Sequence, residues 1–122
     1  MLEGCVNDND EPIVSIRLIL RTKPMQFPAV IDTGFNGYLS VPKKLVQKST
    51  WYFAGIEEYE LATGDQVKQQ IYLGNIIFGE ERILTYVVTS NSKDILIGTK
   101  LLKSKLLTID FLSRCLTIHS SR

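Results

Sequence analysis

Ala29-Val30-Ile31-Asp32-Thr33-Gly34-Phe35-Asn36-Gly37-Tyr38-Leu39-Ser40 is the stretch on which the reading of this chain turns. Three apolar residues run into an acid, a hydroxyl and a glycine. An ionised Asp loses solvation when it is buried, so it is normally kept exposed or paired. No Lys or Arg lies within eight positions of Asp32; Lys23 is nine back. A carboxylate at the mouth of an apolar strand, without a basic neighbour in sequence, points to chemistry. Thr33 adds a hydroxyl that donates and accepts, and Gly34 allows a bend that a side chain would block. Asp, Thr and Gly are also ordinary turn residues, so a plain strand-to-turn junction is the alternative reading of these three positions.

The chain has 122 residues, 44% hydrophobic and 22% charged, with a net charge of +1. That is a globular composition, sufficient for one domain over residues 1–122. The near-zero charge gives no global field for nucleic acid or an anionic membrane. Lys43, Lys44 and Lys48, and Lys100, Lys103 and Lys105, read as solvated faces. No apolar run approaches the length of a membrane span, and no charged-then-apolar leader opens the sequence. Cys5 and Cys115 lie near opposite ends, with no CxxC and no Cys/His cluster, so no metal site or cofactor is expected. A reduced, cytoplasmic protein with two small buried thiols is the default. His119, the single histidine, stands beside no nucleophile elbow, and no glycine-rich phosphate loop is present.

Strand signals dominate the rest. Leu2 to Val6 is a short apolar piece before the turn from Asn7 to Pro12. Ile13 to Leu20 and Gln26 to Ile31 read as strands, with Arg21 to Met25 as a loop. Asn36-Gly37 signals a tight turn. Tyr38 to Val41 is extended, and Ser40 is placed to cap a helix over Lys43 to Lys48 with Leu45 and Val46 buried. Trp51, Tyr52 and Phe53 are expected to cover one edge of the core. Glu57 to Leu61 and Gln66 to Phe78 flank a hairpin turn at Ala62-Thr63-Gly64-Asp65. Gly79-Glu80-Glu81 turns into a strand from Arg82 to Thr89. Asp94 reads as a turn residue before the apolar run Ile95-Leu96-Ile97, which stops at Gly98. Thr99 is placed to cap a short helix from Lys100 to about Lys105. Leu106 to Phe111 and Cys115 to His119 close the chain as a hairpin, with Asp110 exposed or capping. The class is all-β, with two short helices.

One order of elements occurs twice: strand, partner strand, apolar run, glycine, short helix. The first pass runs from Ile13 through Ile31 and Gly34 to the helix near Lys43. The second runs from Gln66 through Val88 and Gly98 to the helix near Leu101. Only the first carries an acid at the end of the apolar run. With Ile31-Asp32-Thr33-Gly34, the hairpin Ala62-Thr63-Gly64, Leu96-Ile97-Gly98 before a helix, and the strand Leu106 to Phe111, the chain resembles the retropepsin-like aspartic proteases. Asp-Thr-Gly-Phe, with Glu3-Gly4 and the Asn7-Asp8 turn, is most similar to a small prokaryotic single-domain subgroup. The spacing adds to the match: 30 residues separate Gly34 from Gly64, and 34 separate Gly64 from Gly98.

The resemblance implies a closed β-barrel with one lobe per chain, and an endopeptidase that activates water between two aspartates. One Asp-Thr-Gly per chain then implies a homodimer with Asp32 from each copy, acting on a peptide or protein. It implies that Thr33 hydrogen-bonds across the twofold axis, that Gly34 lets the backbone pass near the catalytic water, and that Ala62, Thr63 and Gly64 form a flap over substrate. Many relatives carry an acid in that flap where this chain has Thr63. By the same analogy Phe35, Tyr38, Ile95 and Ile97 line the cleft, Leu96 and Gly98 support it, and the terminal strands interleave between copies, which would bring Cys5 and Cys115 together. Two alternatives stand beside this: a retropepsin-like dimerisation or peptide-binding module that cleaves little, and an unrelated barrel in which Asp-Thr-Gly is only a turn.

Overall fold

Val14, Ile16 and Leu18 alternate with Ser15 and Arg17, and all three are buried. This period of two gives strand β2 (Pro12–Ile19) one face in the core. The computed structural model, which describes residues 1–120, places β2 in a ring of six strands. The others are β3 (Pro24–Ile31), β4 (Leu39–Pro42), β6 (Gln66–Phe78), β7 (Glu81–Ser90) and β8 (Ile95–Ile97). Their order is β6-β7-β4-β8-β3-β2, and a β2–β6 pairing of Arg17 with Ile77 and Leu18 with Ile76 closes the barrel. Ile16, Leu18, Leu39, Val41, Ile76, Val87 and Ile97 fill its interior.

The repeated order of elements is a topological symmetry. Exchanging β2 with β6, β3 with β7 and β4 with β8 maps the ring onto itself. The parallel pair β3–β8 becomes the parallel pair β7–β4, and the antiparallel pairs β2–β6 and β4–β8 map onto themselves. Helices α1 (Lys43–Gln47) and α2 (Thr99–Leu102) follow the two equivalent strands.

Outside the ring, β5 (Tyr52–Glu60) pairs with β6, while β1 (Leu2–Val6), β10 (Cys115–Ser120) and β9 (Lys105–Asp110) extend the sheet from β2. The expected interleaving of terminal strands between copies is not the arrangement of the chain. β1 lies between β2 and β10 of its own chain, so both of its edges are occupied. Cys5 and Cys115 face each other within that chain, and both are exposed rather than buried.

Several local expectations are corrected. Pro24 and Met25 belong to β3 rather than to a loop, because β8 pairs only with Ala29 to Ile31 and leaves the far edge of residues 24–28 free of ladder bonds. Asn36-Gly37 is not a tight turn; it lies in a wider loop that spans the width of β8, which separates β3 from β4. Ser40 is held in the β4 ladder against both β7 and β8, so Pro42 takes the N-cap of α1. Gly98 rather than Thr99 is the N-cap of α2, which ends at Leu102. Val46 is buried, while Leu45 is only half-buried. Lys105 is not a solvated lysine: its side chain is 15% exposed and pairs with Glu81 at 3.1 Å.

Trp51 covers the core as expected, but Tyr52 and Phe53 do not, being 70% and 46% exposed. The Trp51 Nε1–H donates to the Ile19 carbonyl at 2.9 Å, which satisfies the buried indole. Its ring lies over Gly74, where a Cβ would come within 3.0 Å of it. Tyr52 begins the strand that leaves the barrel, which is why it points to solvent.

Candidate active site

The loop 32–38 leaves β3 beside the end of β8 and returns as β4 on its other side. The register that fixes it is Val30 to Leu96 and Ile31 to Ile97 on one side, and Leu39 to Ile97 on the other. Backbone bonds then sew the loop to the segment after β8. Asp32 N–H donates to the Ile97 carbonyl at 2.9 Å, Gly98 N–H to Tyr38 at 3.0 Å, Thr99 N–H to Phe35 at 2.9 Å, and Lys100 N–H to Gly37 at 3.0 Å. The loop is therefore a fixed platform, since its buried backbone groups are paired.

Asp32 is half-buried at the head of this platform. Its Oδ1 accepts from the Gly34 N–H at 2.9 Å, an Asx-type contact that orients the carboxylate. Thr33 and Gly34 are exposed. The reason for Gly34 differs from the expected bend: a Cβ there would sit 3.3 Å from Asp32 Oδ1, crowding the carboxylate. Gly98 has the tightest surroundings, because a Cβ would lie 2.1 Å from the Gly37 carbonyl oxygen.

Beside the platform, β5 and β6 project as a long antiparallel hairpin. Its tip is closed by Gly64 N–H to Leu61 O and Leu61 N–H to Asp65 O, both 2.9 Å. Gly64 takes φ +90, which favours glycine, and Thr63 Oγ1 donates to Asp65 Oδ2 at 3.2 Å. Ala62, Thr63 and Gly64 are all exposed at this tip.

A cavity of about 770 Å³ lies between hairpin and platform. Phe35 to Leu39 form one wall, Ala54, Glu57 and Tyr59 come from β5, and Gln69, Ile71, Tyr86, Val88 and Lys100 complete it. Its volume is in the range of sites that hold small ligands or peptide side chains. The Tyr38 and Tyr86 rings are 6.1 Å apart, and Lys100 Nζ lies 5.7 Å from the Tyr38 ring centre.

Phe35 and Tyr38 line the cavity. Ile97 is 0% exposed and Ile95 is buried, so both side chains belong to the core; Ile97 acts on the loop through its carbonyl. Leu96 is half-buried and Gly98 buried beside the loop. Asp32 and the tip residues are not among the residues lining the cavity, which begins at Phe35. Glu57, Tyr59, Gln69 and Lys100 were missed. For Glu57 and Tyr59 the cause is a bulge: Phe53 pairs with Tyr72 and Gly55 with Ile71, leaving Ala54 extra. One inserted residue reverses which alternate positions face the cleft. Before it Tyr52 shares the face of Leu73; after it Glu57 shares the face of Gln69. The one signal in the sequence is Ala54-Gly55 inside an otherwise polar and aromatic strand.

No protein-family model matches the chain, and no curated protein matches it. Solved structures do. The chain is similar to a retropepsin-like aspartic protease from Rickettsia conorii, with TM-score 0.71 and 16% identity over 98% of this chain and 89% of that one. It is also similar to EIAV protease complexed with the inhibitor HBY-793, with TM-score 0.57 and 14% identity over 80% of this chain and 89% of that one. The chain therefore has the retropepsin-like fold, here a closed ring of six strands.

Proposed function

We propose that the chain is an aspartic endopeptidase, active as a homodimer in which each copy supplies Asp32. The observation that carries this reading is the fixed placement of Asp32 at the head of a backbone-clamped loop, next to a hairpin-covered cavity. Two carboxylates brought together across a twofold axis cannot both ionise without strong repulsion, so they hold one proton between them. The ionised member takes a proton from water as it attacks the peptide carbonyl, and the protonated member donates to the carbonyl oxygen. Such a pair titrates as a unit. The chemistry needs no metal or cofactor.

In this reading the Thr33 hydroxyl reaches the partner's loop and keeps the carboxylates coplanar. Gly34 leaves room beside Oδ1 for the water. The hairpin with Ala62, Thr63 and Gly64 at its tip closes over the peptide and excludes solvent. Residues 1–122 act as one domain, in a reducing cytoplasm.

The test is cleavage of a mixed peptide library between about pH 4 and pH 7 by wild type and Asp32→Asn, with mass measured in the same buffers. Cleavage that vanishes in a folded, dimeric Asp32→Asn supports the reading; equal cleavage by both overturns it. A second reading, a peptide-binding module without turnover, is favoured by the tip's lack of an acid at Thr63 and by Lys100 in the cleft wall. Peptide binding with no cleavage at any pH selects it.

A further inference from the structure

The two cysteines form a site of their own, two strands across the sheet from β3: Cys5 pairs with Ile13, and Ile13 with Val30. β1 and β10 run antiparallel with Cys5 opposite Cys115. One position further, Val6 N–H donates to the Arg114 carbonyl at 3.1 Å. Hydrogen-bonded and non-hydrogen-bonded pairs alternate along an antiparallel ladder, so Cys5–Cys115 is a non-hydrogen-bonded pair. In such pairs the Cα atoms are about 4.5 Å apart and the side chains project to the same face. That separation lies inside the range a disulfide spans. The shared face is the open one, since both thiols are exposed, and Asp110 of β9 lies opposite Cys115 in the same row. Cys115 Sγ contacts the Ser113 carbonyl at 3.4 Å.

We propose that Cys5 and Cys115 are a redox modification site, oxidised to an intrachain disulfide by low-molecular-weight disulfides such as oxidised glutathione. One cysteine thiolate attacks the glutathione disulfide, forming a mixed disulfide and releasing one glutathione thiol. The second cysteine thiolate attacks the protein sulfur of that mixed disulfide and expels the second glutathione. Two protein thiols and one oxidised glutathione become one protein disulfide and two reduced glutathiones. Neither strand is part of the six-stranded ring, and β1 is joined to β2 by three residue pairs. The bond therefore tethers the terminal strands to each other and closes a loop from residue 5 to residue 115. A loop of that length constrains the unfolded chain strongly. The site is independent of whether the chain cleaves peptides.

The test treats dilute wild type and Cys5→Ser with oxidised glutathione, followed by intact mass, maleimide labelling, peptide mapping and thermal melting. Wild type is expected to lose both maleimide-reactive thiols with no added glutathione mass and to give a Cys5–Cys115 linked peptide. Its Tm rises by about 5–15 °C and returns when dithiothreitol is added. Cys5→Ser instead carries one glutathione on Cys115 and shows no such rise. Wild type that keeps both thiols, carries two glutathiones, or links only between chains overturns the proposal. A linked peptide without a rise in Tm overturns the tether.

Discussion

Gly98 carries the strictest steric demand in the site. A methyl there would meet the Gly37 carbonyl oxygen at 2.1 Å, and neither backbone can give way without breaking the bonds that hold the loop. Gly98→Ala is expected to cost about 2–4 kcal/mol in urea unfolding, at or above the usual range for overpacking. Gly34→Ala provides the contrast. Its Cβ would meet only Asp32 Oδ1, at 3.3 Å, and φ is not in the left-handed region. It should change stability by less than about 1 kcal/mol while reducing turnover by tenfold or more, because it crowds the carboxylate. Equal losses of stability in the two variants would contradict this assignment of roles. Sequence reading found both glycines, since each ends an apolar run. The reason each is needed appears only from the distance to a neighbour remote in sequence.

At the scale of elements, the β5–β6 hairpin decides what the cleft presents. Glu57→Lys reverses a charge in the cavity wall, on the face that Glu57 shares with Gln69. The hairpin is largely exposed, so the loss of stability should stay within about 1–2 kcal/mol while the preferred peptide sequence changes. Unaltered preference in a library digest would show that this strand does not read the substrate. The strands themselves were legible because apolar residues repeat every second position, as in Val14, Ile16 and Leu18. The bulge was not, because a single extra residue leaves composition and alternation almost unchanged and is fixed by pairing with β6. Pro24 misled for a related reason: proline excludes a paired edge, and sequence does not say which edge is paired.

For the whole molecule, the repeated half was visible in the order of elements, and the closed ring was implied by the resemblance. The pairing of β1 with β10 inside one chain was not, because pairings between chain ends leave no local signal. Strand β9 contributes to the response to acid, through Lys105, which pairs with Glu81 of β7, and through its last residue, Asp110. Glu81 is held below the usual carboxylate range by its hydrogen bond from Lys105, then by the Lys105 charge, with Ser120 contributing. Asp110 is held low by the Ser113 hydroxyl, then by the Ser113 and Leu112 N–H groups. A carboxylate with a lowered folded-state pKa contributes stability above its unfolded value of about 4 and loses it as pH falls through the folded value. Tm should therefore fall between about pH 5 and pH 2, and less steeply in Glu81→Gln with Asp110→Asn. Identical acid slopes for variant and wild type would place the response elsewhere.

The proposed active site takes one Asp32 from each of two copies. Wild type and Asp32→Asn refolded together in varying ratio test it most directly. If the dyad is shared, mixed dimers are dead and activity per total protein follows the square of the wild-type fraction, about one quarter at an equal mixture. Activity that falls in simple proportion, to about one half, in a mixture shown by mass to contain mixed dimers would mean that each chain works alone, and would contradict the account.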